Sequence, residues 1–185
     1  GVMVTASHNP KDDNGFKFSF DYLGNARGEQ VYDFRDYTLA GKFLEGKGDV
    51  TEFDPRDYYA SFIRENIDMG KRKLKVVLDC GNGTTSLYAR DIYEQFSNLD
   101  ITMICDESDA TFPNHHPDPS VAENNKMLID KVKELNADIG IGFDGDGDRV
   151  GFVTEKGEIM PIDKAMIAYI RNINNSVINK TYLFD

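Results

Sequence analysis

The chain has 185 residues, and its 32 acidic side chains against 21 lysines and arginines give a formal net charge of −11. This length can hold one or two domains with a buried core, while the acidity makes nucleic acids and anionic membranes poor partners. The sequence has no run of 18 apolar residues and no signal-peptide pattern, so we expect a cytoplasmic protein, and no obligate protein partner is evident.

The amino-terminal part of the chain alternates short apolar segments with turns. Residues 2–4 predict a short buried strand, and residues 16–20 predict a second strand. Apolar side chains at helical spacing predict a helix over residues 28–40, which stops at a glycine. Residues 41–49, which are rich in glycine and charge, predict a surface connection.

The remainder of the chain is predicted to alternate helices and strands. A first helix starts with Asp54 as the N-cap and Pro55 in the first turn. Ser120 and Glu123 form a predicted capping box. The later elements are predicted in the order strand 74–78, helix 84–96, strand 101–105, helix 121–135, strand 139–143 and hairpin strand 150–154. This βαβαβ order predicts an α/β fold with mixed, mostly parallel sheets and flanking helices.

A loop at residues 144–149 is the strongest chemical signal. Only single glycines separate Asp144, Asp146 and Asp148, and residues two apart in an extended segment project to the same side. Three converging carboxylates repel each other unless a cation lies between them, and all-oxygen ligands select Mg²⁺ before Ca²⁺. Arg149 adds a protonated fork suited to phosphate. The loop therefore predicts a metal beside a phosphate.

The same loop fits two other kinds of structure less well. One is a solvated acidic turn, which strict alternation between apolar strands disfavours. The other is a helix-loop-helix calcium site, which Glu155 would fit as the twelfth residue of the loop. The sixth position of such a loop needs glycine, whereas Arg149 stands there, and the flanking segments are predicted strands.

A second loop, at residues 5–10, has the sequence Thr-Ala-Ser-His-Asn-Pro. It places Ser7 and His8 at the end of a predicted strand, where α/β proteins often carry their chemistry. An Asn-Gly turn then brings Lys17 back toward the loop. Taken alone, the pattern leaves Ser7 open as a nucleophile or as ordinary loop polarity, because no acid completes a triad.

Residues 79–83, with the sequence Asp-Cys-Gly-Asn-Gly, lie between a predicted strand and a predicted helix. A phosphate could rest on the helix N-terminus there. The segment lacks the glycine spacing and the Lys-Ser/Thr pair of a phosphate-binding loop. We therefore favour a tight structural turn.

The histidine pair His115 and His116 could suggest a metal site, but neither a cysteine nor a third histidine is near in the sequence. A stiff extended connector is favoured by three neighbouring prolines: Pro113, Pro117 and Pro119. Cys80 and Cys105 are predicted to be reduced core thiols, because two cysteines are too few for a disulfide framework.

Together these motifs resemble the α-D-phosphohexomutase family, and within it the bacterial phosphomannomutase/phosphoglucomutase branch. The resemblance rests on residues 5–17 and 144–149, and is extended by residues 78–83 and 112–119. It runs from Gly1 to Asp185 with the motifs in the family's order. It implies a reversible transfer of phosphate between the 1- and 6-positions of glucose or mannose, with hexose 1,6-bisphosphate as intermediate and activator.

The resemblance also implies roles for the two loops. Ser7 would carry the phosphoryl group, and the three loop aspartates (Asp144, Asp146 and Asp148) would hold Mg²⁺ with a phosphoserine oxygen as a further ligand. Lys17 would act as general acid and base, and Arg149 would contact the phosphoryl group. His8 stays open between a phosphate contact and scaffolding of its loop.

The resembled family has four domains around a cleft. By this resemblance, residues 1–57 are the last part of domain I, residues 58–154 are domain II and residues 155–185 begin domain III. The elements that distinguish the sugar and grip the distal phosphate would lie elsewhere, so the chain alone is expected to be an inactive fragment. The alternatives are an amino-sugar phosphomutase and a non-catalytic Mg²⁺-binding module.

Overall fold

The chain forms two compact units, Gly1–Asp54 and Pro55–Asp185. This computed structural model describes residues 1–6, 9–10, 12–21, 24–173 and 180–182. Each unit is considered by itself below.

The first unit contains a two-stranded antiparallel hairpin and one helix. Strands β1 (Val2–Val4) and β2 (Phe16–Phe18) pair with Met3 opposite Lys17. Helix α1 (Glu29–Leu39) follows, and its Phe34 ring packs 4.9 Å from that of Phe18 and 5.2 Å from that of Phe20. Aromatic contacts therefore tie the hairpin to the helix.

The second unit is a mixed sheet with helices. Its elements in chain order are α2 (Arg56–Asn66), β3 (Leu74–Asp79), α3 (Ala89–Tyr93), β4 (Leu99–Ile104), α4 (Lys126–Leu135), β5 (Ile139–Phe143), β6 (Val150–Thr154), β7 (Ile159–Met160) and α5 (Ile162–Ile173). The strand order is β4-β3-β5-β6-β7, in which β3 is parallel to β4 and β5, and β6 is antiparallel to β5 and β7. The predicted α/β class, with a mixed sheet and flanking helices, is confirmed.

Strand β3 lies at the centre of the core because both of its faces are covered. Val77 packs with Leu128 and Val132 of α4, whereas Val76 and Leu78 pack on the opposite face with Ala89 of α3. Alternate side chains of a strand point to opposite faces, so one apolar strand can support two layers. Each such buried side chain contributes about 1.5–3 kcal/mol to folding.

The chain enters two of the helices in different ways. Helix α2 begins directly after Pro55, whose backbone is already in the right-handed helical region. The capping box predicted for Ser120 and Glu123 does not form, because Asp118 Oδ1 accepts the Ser120 backbone N–H at 3.0 Å and Val121 stands at the N-cap position. A 3-10 turn at Ala122–Asn125, without a side-chain cap, leads into α4.

Some predicted element ends also differ from the structure. The second strand stops at Phe18 rather than at residue 20. The helix predicted over residues 84–96 divides into a 3-10 turn, Thr84–Leu87, and the short α3. The aspartate loop holds this 3-10 turn in place, because the Thr84 amide donates to Gly145 O at 2.9 Å. Among the described helices, none has the length and apolarity needed to cross a membrane.

Candidate metal and phosphate site

The carboxyl ends of the three parallel strands lie at one edge of the sheet. There β3 ends at Asp79, β4 is followed by Cys105, and β5 is followed by the aspartate loop at residues 144–148. In open α/β sheets this edge is where ligands usually bind. These polar side chains of the second unit therefore lie at the sheet edge where α/β proteins usually bind ligands.

Asp144 is the buried anchor of the aspartate loop. Its side chain is fully buried, its Oδ1 accepts the Arg149 backbone N–H at 3.0 Å, and its Oδ2 lies 3.1 Å from Arg149 Nε. A buried carboxylate is tolerated only when its charge and lone pairs are matched in this way. The contact also holds the loop closed between its first and last positions.

The three aspartates converge, although residues 145–147 form a turn rather than the extended segment that the prediction assumed. Carboxylate oxygens of Asp144, Asp146 and Asp148 lie within 4.8 Å of one another, and the last two residues are exposed. Gly147, with a φ of 77°, makes the turn that brings them together. The donor set is all oxygen and fits a hard divalent cation such as Mg²⁺. The flanking strands β5 and β6 are not the helices of a calcium hand.

The segment 79–83 forms a tight turn that contacts the aspartate loop. Gly83 N–H donates to Cys80 O at 2.8 Å, and Gly81 N–H donates to Asp79 Oδ1 at 3.0 Å. A side chain added at Gly83 would place its Cβ 2.6 Å from Gly145 O. The favoured interpretation as a structural turn agrees with this geometry, and glycine is needed for the close approach of the two loops.

The serine loop belongs to the first unit. Its base is closed by the Thr5 amide, which donates to Gly15 O at 2.9 Å, directly before β2. Lys17 is exposed on β2. Ser7 and His8 lie outside the described residues, so their assigned roles stay predictions.

Comparison with known proteins shows to which family this chain belongs. A family model described as phosphoglucomutase/phosphomannomutase, alpha/beta/alpha domain II, matches residues 57–157, which is more than half of the chain. The chain belongs to the phosphoglucomutase/phosphomannomutase family. The family's domain I model matches residues 1–32. The predicted membership of the phosphohexomutases is thereby confirmed.

Individual relatives agree with this family. A phosphomannomutase/phosphoglucomutase of Pseudomonas aeruginosa is 42% identical over 187 residues, which covers 100% of this chain and 39% of the relative. A phosphoglucomutase of Neisseria meningitidis is 38% identical and is covered to 40%. A crystal structure of a family protein from Burkholderia thailandensis matches with a TM-score of 0.79 at 33% identity, covering 95% of this chain and 38% of that one. The chain spans about two fifths of the length of the curated relatives it matches.

The sequence analysis missed one acidic side chain of this phosphoglucomutase/phosphomannomutase domain. Asp118 Oδ2 lies 3.8 Å from Arg149 Nη1. Hydrogen bonds from the Ser120 side chain and backbone, together with the nearby Arg149, hold the pKa of Asp118 below its usual range. It therefore stays charged and helps to orient the guanidinium. The motif at residues 112–119 was noted as a connector and as part of the family resemblance, without a role for Asp118.

A cleft of about 860 Å³ opens beside the aspartate loop within the second unit. One wall is formed by residues 146–150 of the loop. The remaining walls are mostly apolar and include Tyr59, Ile63, Tyr88, Tyr93, Phe152 and Tyr169. The exposed carboxylates thus face a space large enough for a ligand, which is the usual environment of a binding site.

The interpretation of His115 as part of a plain connector is incomplete. Its Nε2 lies 3.0 Å from Asp79 Oδ2, and hydrogen bonding, first to Asp79 and then to Cys105, raises the pKa of His115 to about 10. Cys105 is only half-buried, so the prediction of a core thiol is wrong for it. Cys80 is fully buried, and burial raises its pKa to about 12. The fold therefore brings a cysteine to His115 that the sequence keeps ten residues away.

Replacement of Gly83 by alanine is expected to destabilise the second unit by about 1–3 kcal/mol, because the new methyl group meets backbone atoms of Gly145. It should also weaken Mg²⁺ binding, since the aspartate loop must shift. Gly46→Ala is the matched control, because its added Cβ has no heavy atom within 4 Å. Chemical denaturation and calorimetric Mg²⁺ titration measure both effects. Equal stability of the two variants would contradict the close approach of the loops.

Proposed function

We propose that this chain contributes the phosphoserine loop and the metal-binding loop of a phosphohexomutase acting on glucose or mannose phosphates. The observation that carries the proposal is the convergence of Asp144, Asp146 and Asp148 next to the Arg149 guanidinium. Membership of the phosphoglucomutase/phosphomannomutase family supports the same activity. The predicted cytoplasmic location remains part of this proposal, as does the expected lack of nucleic-acid, membrane and obligate protein partners.

The three loop aspartates would hold one Mg²⁺, together with a phosphate oxygen on Ser7. When bound, Mg²⁺ would neutralise negative charge on the phosphoryl group during its transfer. Asp144 is already matched by Arg149, whereas the exposed Asp146 and Asp148 have side chains that reach solvent. A cation can therefore enter from the open side of the loop without displacing the buried anchor.

Phosphoryl transfer would use Ser7 as the carrier. The bond between phosphorus and Ser7 Oγ breaks as a sugar hydroxyl attacks, and Lys17 takes the proton of that hydroxyl as general base. The reverse transfer, from the other phosphate of hexose 1,6-bisphosphate, restores the phosphoserine while Lys17 returns a proton. Arg149 would hold phosphoryl oxygens through its planar fork, and His8 would either contact the phosphate or support the serine loop.

The proposed sugar class rests on how similar in sequence the chain is to two relatives. The Pseudomonas aeruginosa phosphomannomutase/phosphoglucomutase is 42% identical to this chain. A probable phosphoglucosamine mutase of Methanothermobacter thermautotrophicus is 33% identical over 96% of the chain. The difference favours glucose and mannose phosphates over amino-sugar phosphates, which remain the alternative substrates.

A chimaera tests this function. Replacing the matching segment of the Pseudomonas aeruginosa relative with residues 1–185 is expected to give an enzyme that converts glucose 1-phosphate and mannose 1-phosphate into their 6-phosphates. The isolated chain should show no turnover, because positioning of the substrate is worth about 7–11 kcal/mol of barrier and the chain spans only 39% of that relative.

A coupled assay with glucose 1-phosphate and mannose 1-phosphate separates a catalytic chain from a non-catalytic module. A folded chimaera with bound Mg²⁺ and no turnover on any sugar phosphate would support a non-catalytic module. Turnover by the isolated chain at the rate of the chimaera would contradict the expected inactivity of the fragment.

A further inference from the structure

We infer that Asp79, Cys105 and His115 form a second cation site, which takes a borderline-soft divalent metal of the zinc class. The site offers a carboxylate, a thiol and an imidazole, and their ligand atoms all lie within 4.8 Å of one another. Thiolate and imidazole ligands select zinc-like ions, whereas the all-carboxylate loop selects magnesium. The chain thus separates two kinds of metal chemistry at one edge of its sheet.

The geometry around His115 suits coordination through Nε2. This atom lies 3.2 Å and 3.0 Å from the two carboxylate oxygens of Asp79, and ligand atoms of a tetrahedral zinc site lie roughly 3.3–3.8 Å apart. The other ring nitrogen, Nδ1, lies 3.0 Å from His116 O. A metal-bound histidine typically donates its second N–H to such a carbonyl, which fixes its tautomer and ring orientation.

The three ligands are held by different parts of the fold. Asp79 ends β3, is buried, and keeps one oxygen on the Gly81 amide at 3.0 Å. Cys105 follows β4 with a φ of 49°, a left-handed conformation that non-glycine residues rarely adopt. Outliers of this kind cluster at ligand and active sites. His115 comes from the segment between β4 and α4, so a bound metal would join three separate segments.

The His115 Nε2 atom and the Asp79 carboxylate already lie within hydrogen-bond distance of each other. Metal ligands of these types bind as neutral imidazole, thiolate and carboxylate, so binding of a divalent ion would be coupled to proton release. The neutral imidazole, thiolate and carboxylate would then carry two negative charges against the two positive charges of the metal. The site therefore gains a balanced set of ligands while the Asp79 carboxylate stays paired.

The proposal is tested by titrating the 185-residue chain with Zn²⁺ and with Co²⁺ in the presence of saturating Mg²⁺. We expect Co²⁺ to give a thiolate-to-metal charge-transfer band, and Cys105→Ser to abolish that band and weaken Zn²⁺ binding at least about 100-fold. Cys80→Ala is the matched control, because Cys80 is the other free cysteine and lies outside the cluster. Asp146→Asn should also keep the band, because it alters only the aspartate loop.

Thiol protection tests the unaltered chain and is independent of whether Cys105→Ser folds. Zn²⁺ should slow the alkylation of Cys105 by iodoacetamide at least about 10-fold, while fully buried Cys80 serves as the unreactive internal reference. The cysteines are distinguished by peptide mass spectrometry. The inference is overturned if Cys105 reacts equally fast with and without Zn²⁺, or if the charge-transfer band survives in a folded Cys105→Ser chain.

Discussion

Replacement of Ser7 by alanine is expected to lower the mutase turnover of the chimaera at least about 1,000-fold, the scale on which loss of an enzyme's nucleophile acts. The phosphoryl group must be covalently stored between its departure from one sugar position and its arrival at the other. In our proposal Ser7 Oγ is the atom that stores it. Thr51→Ala provides a control, since Thr51 is an exposed hydroxyl residue outside the described helices and strands.

Steady-state rates with glucose 1-phosphate and hexose 1,6-bisphosphate measure this effect. A small residual turnover in Ser7→Ala is consistent with weak transfer through Thr5 or with slow direct hydrolysis. Near-normal turnover in Ser7→Ala would show that another group carries the phosphate, and would remove the serine loop from the mechanism.

Replacement of Asp146 by asparagine is expected to weaken Mg²⁺ binding to the chain by about 10–100-fold. The change removes one of three anionic ligands and keeps the size of the side chain. Asp146 and Asp148 are exposed, so their variants should fold normally. Asp144→Asn should in addition lower stability, because it breaks the buried contact with Arg149.

Isothermal titration with Mg²⁺ measures these affinities. Asp130→Asn is the matched control: its carboxylate pairs with Lys126 on the exposed face of α4 at 2.6 Å, away from the sheet edge. Equal Mg²⁺ affinity in the wild type and in all three loop variants would show that these carboxylates do not form the metal site.

The aspartate loop was predictable because its signal is local. Apolar segments of strand length on both sides define β5 and β6, and residues 139–143 and 150–154 match the observed bounds. The glycines between the aspartates then permit the turn that brings the three side chains together. Local spacing is a reliable guide when every participant lies within a few residues of the others.

The predicted capping box failed for a different physical reason. In a capping box the Glu123 carboxylate would accept the Ser120 backbone N–H, whereas here Asp118 Oδ1 accepts it at 3.0 Å. The capping pattern in the sequence does not show this competing carboxylate. The same carboxylate then faces Arg149, so one unrecognised residue accounts for a missing cap and for part of the candidate site.

The cluster of Asp79, Cys105 and His115 could not be predicted from the spacing of residues along the chain. His115 follows Asp79 by 36 residues, and Cys105 directly follows the neighbouring strand β4. Only the parallel pairing of β3 with β4 brings the ends of these strands together. Contacts of this kind depend on sheet order, which spacing along the chain does not determine.

The central claim, that the chain carries the phosphoserine of a phosphohexomutase, is tested most directly by peptide mass spectrometry of the chimaera. After incubation with Mg²⁺ and excess hexose 1,6-bisphosphate, we predict one phosphoryl group, located on Ser7 and strongly reduced in Asp146→Asn. A folded and active chimaera whose phosphate lies on another residue, or which carries none under these conditions, would contradict the account.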